Sequence, residues 1–168
     1  MSKKYSIVIK DISLVKGQES PYTQYDLGNR YYRGQGATQD FEKAFAYFNL
    51  AAEQGYTSAH YMLGFMYISG QGVTRNTSQA FNWWKLAANQ GHTAAQSNLS
   101  RLYRYGQGVK KDLPKAFKWC KLAAEQGDED ALHNLKEIEE QLQSIQWSDD
   151  TPSPQLFSTV QPWKSAYI

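Results

Sequence analysis

Three Gly-x-Gly motifs, three histidines, one cysteine and a run of lysines are the residues of this 168-residue chain whose types could do chemistry. The glycine pairs are Gly34 and Gly36, Gly70 and Gly72, and Gly106 and Gly108. A glycine loop that cradles phosphate follows a strand and opens a helix, with an acidic residue downstream. Here each pair falls between two helical stretches, three times over, so it reads as a turn. His60, His92 and His133 share no metal-ligand spacing with one another or with Cys120, and none stands in a recognisable nucleophile motif. They are expected to be solvated or interface histidines, with no metal, no cofactor and no catalytic residue. Cys120 occupies the position held by Trp84 thirty-six residues earlier, which suits a buried small apolar side chain better than a reactive thiol.

The remaining charges disperse rather than converge. Glu139 and Glu140 are adjacent, so on a helix they point in different directions and cannot form an acid-base pair. Lys110, Lys111, Lys115, Lys118 and Lys121 read as a solvated face. With 18 Lys and Arg against 16 Asp and Glu, no overall field favours a nucleic-acid partner. Residues 94 to 128 hold seven basic and three acidic side chains, and residues 129 to 168 hold two and seven, giving a basic-then-acidic polarity. No run approaches the roughly eighteen apolar residues of a membrane span, so no membrane is expected. The first twenty residues lack a signal-peptide core, and a single cysteine excludes an internal disulfide framework; a soluble, cytoplasmic protein is expected.

What must position these residues is an internal repeat. YDLGNRYYRGQG from Tyr25, YMLGFMYISGQG from Tyr61 and SNLSRLYRYGQG from Ser97 align at a period of 36. The offset carries through Ala44, Ala80 and Ala116, through the alanine pairs beginning at Ala51, Ala87 and Ala123, and to Gly55, Gly91 and Gly127. Between residues 59 to 94 and 95 to 130, 16 of 36 positions are identical. Each unit reads as two helices. In the middle unit the first, about 58 to 69, puts Ala59, Leu63, Met66 and Tyr67 on one stripe, and the glycine turn ends it. Asp40, Asn76 and Asp112 are suited to cap the second helix, and Gly55, Gly91 and Gly127 to close it.

The pattern LGxxYxxGxGV, a capped helix with KA or QA, an aromatic and AAxxG resembles Sel1-like repeats, over roughly residues 22 to 128. Thr23, Ser100 and Ala37 are mild departures from it. The resemblance implies an all-α fold: a right-handed α-solenoid of Sel1-like (TPR-like) helix-turn-helix repeats. Its units are expected at about 22–57, 58–93 and 94–128, between an N-terminal capping segment, 1–20, and a capping helix, 129–147. Residues 148–168 are expected to be a linker and an apolar-rich tail.

First helices line the inner curve of such a solenoid. At 100° per residue, Tyr61, Phe65 and Ile68 fall opposite the stripe of Ala59, Leu63 and Tyr67. Their equivalents are Tyr25, Asn29 and Tyr32 in the first unit, Arg101 and Arg104 in the third, with Tyr105 beside them, and His133 in the terminal helix. These residues are expected to form a partner-binding strip that runs from aromatic to cationic and ends acidic. The resemblance implies a protein-protein interaction module, an adaptor or scaffold for a protein or peptide partner. An immunity protein neutralising a toxin or effector is the alternative. A hydrolase-like enzyme is a weaker one, because this chain lacks the cysteines of the relatives credited with that activity. The tail, with Leu156, Phe157, Val160 and Trp163, could lie in the same groove or support self-association.

Overall fold

A computed structural model describes residues 20–148. Among them are seven helices and no strands: α1 Pro21–Arg33, α2 Phe41–Glu53, α3 Thr57–Ser69, α4 Thr77–Asn89, α5 Thr93–Tyr105, α6 Leu113–Glu125 and α7 Glu129–Ser148. The first helices start at residues 21, 57 and 93, one position before the sequence boundaries, and α7 runs one residue further than expected. The expected capping segment 1–19 and the tail beyond Ser148 lie outside the described residues.

The helix ends follow from the residues that aligned. Asp40, Asn76 and Asp112 each accept a hydrogen bond from the backbone N–H three residues on, at 3.0, 3.0 and 2.9 Å. That satisfies a donor which the first turn leaves without an intrahelical acceptor. Gly34, Gly70 and Gly106 end the first helices at φ of 69°, 72° and 68°, where a Cβ is penalised, and each N–H returns to a carbonyl of the last turn.

The core is a relay rather than a single mass. Phe45, Phe48 and the Ala51-Ala52 pair pack on Leu63 and Met66. Trp84, Ala87 and Ala88 pack on Leu99 and Leu102, and Ala116, Cys120 and Ala123 pack on Ala131 and Ile138. Each second helix thus buries alanines against the first helix of the next unit, which lets the backbones approach closely. Within a unit the approach is as close: a Cβ on Gly64 would sit 2.3 Å from Trp84 Cδ1, so the indole fills the notch left by the missing side chain and donates from Nε1 to the Tyr61 carbonyl at 3.1 Å. Such stacking makes stability a sum of units and nearest-neighbour interfaces.

Candidate functional site

The ten residues of the expected strip fall into three groups. Phe65 at 38 % exposure and Tyr105 at 58 % are open to solvent, as are Arg101 and His133. Tyr25, Asn29, Tyr32, Tyr61 and Ile68 are half-buried. Arg104 is buried, at 8 % exposure. The helical stripe therefore separates two faces less cleanly than the sequence suggested, because a first helix within a solenoid has neighbours on both flanks.

Contacts account for the half-buried group. The Tyr25 ring lies 5.6 Å from that of Phe48 and 5.0 Å from that of Tyr56. Tyr32 meets Phe41 edge-on, and its hydroxyl donates to Gln71 Oε1 at 2.8 Å across to the next unit. Burial raises the Tyr32 hydroxyl above the ordinary phenol value, against the Gln71 hydrogen bond and the charge of Arg33, so it remains a donor. Tyr61 stacks on His92 with centroids 4.4 Å apart, and Ile68 packs against the cluster of Trp84 and Leu102.

The cationic end is not free charge. Arg104 Nη2 donates to Glu137 Oε2 at 2.7 Å, and His133 Nε2 lies 3.4 Å from Glu137 Oε1. The Arg104 hydrogen bond, then its charge, holds the Glu137 carboxyl below the usual carboxylate range. Beside Arg104, α5 and α7 leave a cleft of about 330 Å³ lined by Asn98, Arg101, Arg104, Asp130, His133 and Asn134, among others. The Arg104 guanidinium also lies 5.3 Å from the Tyr105 ring centre.

Two histidines hold places the sequence did not assign. His60, expected to be solvated or at an interface, is 5 % exposed instead: its Nε2 is 3.1 Å from the Ala52 carbonyl, and its ring stacks on Trp83. His92 is the N-cap of α5, with Nδ1 accepting from Ala95 N at 3.3 Å. The period held the signal for that role, since Asp128, thirty-six positions later, accepts from Ala131 N at 2.8 Å. Cys120 lies where the alignment put it, buried, with Sγ donating to the Ala131 carbonyl at 3.2 Å; burial pushes the thiol up, away from thiolate chemistry. Among the described residues no three His, Cys, Asp or Glu converge as a metal site, and no helix is long and apolar enough to cross a membrane.

The Sel1 repeat model matches residues 21–56, 57–92 and 93–128, in phase with the helix starts. No curated protein matches. Among solved structures, a protective antigen present in uropathogenic Escherichia coli strains, displaying an SLR fold, is 41% identical with a TM-score of 0.67, over 73% of this chain and 26% of its own. A Sel1 repeat protein from Oxalobacter formigenes is 32% identical with a TM-score of 0.69, over 79% of this chain and 55% of its own. This chain therefore spans about a quarter of the first protein and about half of the second. The cysteine-rich protein B of Helicobacter pylori, 23% identical with a TM-score of 0.59 over 76% of this chain and 97% of its own, shares the fold.

Proposed function

Because the chain belongs to the Sel1 repeat family, whose members are in general protein-interaction modules, we propose that it is an adaptor that binds a protein or peptide partner on the inner face lined by α1, α3, α5 and α7. One observation carries this: Phe65 on α3 and Tyr105 on α5 stay exposed although their neighbours on the same helices are buried. Aromatic side chains left open beside guanidinium groups are the residue types in which protein interfaces concentrate their binding energy. The family is typically a non-catalytic scaffold, and the exposed aromatics need no reacting group to act. An immunity role is the special case in which the bound partner is a toxin.

The test compares the chain with its Phe65→Ala, Tyr105→Ala double variant as bait in cells that express it, followed by cross-linking and mass spectrometry. A partner held by the parent and lost by the variant, with helical content and unfolding midpoint unchanged, is the expected outcome. Equal capture by both, with cross-links mapping to the second helices, would place the binding surface elsewhere.

A further inference from the structure

The cleft between α5 and α7 holds more hydrogen-bond donors than the chain uses. Arg104 spends Nη2 on Glu137, while its buried Nε has no acceptor. A buried N–H without a partner is unfavourable, which points to an acceptor supplied from outside. Arg101, one turn earlier on α5, is exposed and donates to Asn98 Oδ1 at 3.3 Å, with no carboxylate at ion-pair distance among the described residues. Arg104 meets a residue 33 positions on, and the same offset sets Arg101 level with Asn134, whose side chain lines the cleft.

Resting on the reading that this face binds protein, we infer that the α5–α7 cleft takes one carboxylate side chain of an acidic peptide segment, gripped between Arg101 and the free Nε–H of Arg104. A guanidinium offers planar donors matched to carboxylate oxygens, and such charge-assisted bonds are about twice as strong as neutral ones. The cleft is selective against more highly charged anions. Glu137 already offsets Arg104, and Asp130, also lining the cleft, would repel a second negative charge while accepting an N–H of the peptide backbone. Phe65 stands one repeat before Arg101 in the same helical position and is exposed. A segment that reaches both, at about 3.3 Å per residue of extended chain, carries an apolar side chain a few positions from its acidic one.

The test is a nitrogen-15 NMR titration of the full chain, following the arginine Nε–H resonances. The probe is a short peptide with blocked ends, carrying phenylalanine and, three positions on, glutamate; its counterpart carries glutamine instead. Saturable movement of the Arg101 and Arg104 resonances is expected, with the glutamine peptide binding at least about tenfold more weakly, as loss of a charge-assisted bond requires. Arg101→Gln, at an exposed position, should weaken the glutamate peptide about tenfold and leave helical content unchanged. Equal affinity for both peptides, or an unchanged affinity in Arg101→Gln, overturns the inference. Capture of the natural partner that survives Arg101→Gln yet is lost with the Phe65 and Tyr105 variant also overturns it, and leaves the binding face standing.

Discussion

Replacing His60 by glutamine should stabilise this protein and remove part of its acid sensitivity. In the first and third units the equivalent positions are Gln24 and Gln96, which accept from Gln54 Nε2 and Gln126 Nε2, both at 2.7 Å. Gln96 also donates to the Ala88 carbonyl at 3.2 Å, as His60 does to that of Ala52. That carbonyl can only accept, so Nε2 carries the proton and Nδ1 is left a bare acceptor, buried and without a partner. Gln90, the counterpart of Gln54 and Gln126, accepts from Thr57. An unsatisfied buried acceptor costs about 1–3 kcal/mol, whereas losing the stack on Trp83 costs about 0.5–1.5 kcal/mol. The net gain is about 1 kcal/mol, or roughly 3–5 °C in Tm for an ordered region of this size.

The pH dependence follows from burial. It lowers the His60 pKa from the ordinary 6.5, opposed by the Ala52 hydrogen bond. As pH falls below about 6.5 the unfolded chain takes up the proton first, and stability drops by up to about 1.4 kcal/mol per pH unit until the folded form protonates too. Urea unfolding of parent and His60→Gln at pH 7.5 and 5.5 measures this. Because every other residue is the same in both proteins, the difference isolates the contribution of His60. The advantage of the variant should widen at the lower pH; a gap independent of pH, or a less stable variant at both, refutes the reasoning.

Leu63→Ala, at a side chain with no exposed surface, should cost roughly 2–5 kcal/mol in chemical denaturation. Gly64→Ala adds a methyl where Trp84 already stands 2.3 Å away, so it should cost about 1–3 kcal/mol and shift the Trp84 indole resonance as its bond to the Tyr61 carbonyl breaks.

The fold was legible because local signals agreed with the period. Caps at Asp40, Asn76 and Asp112, turns at Gly34, Gly70 and Gly106, and the alanine pairs all recur at one offset, and each marks a feature set by a few neighbouring residues. The candidate surface was less legible because its state depends on contacts between units. A helical wheel places Ile68 opposite Leu63, but it carries no information that the cluster of Trp84 and Leu102, built by α4 and α5, half-buries it. The same limit hid the pairing of Arg104 with Glu137, two residues on helices that are not consecutive. Asn29 is half-buried and makes no hydrogen bond or ion pair among the described residues that would give it a role.

A Cβ on Gly72 would lie 2.2 Å from the carbonyl oxygen of Phe41, and one on Gly108 would lie 2.6 Å from the carbonyl carbon of Thr77. At both joints the turn of one unit abuts bare main chain at the start of the previous unit's second helix, and side-chain identity has no say in the spacing. Gly36, the same position in the first unit, faces open space among the described residues. Pitch is thereby copied with the backbone itself: duplicating a 36-residue stretch such as 57–92 would extend the spiral at an unchanged step, while its outward residues stay at liberty to diverge.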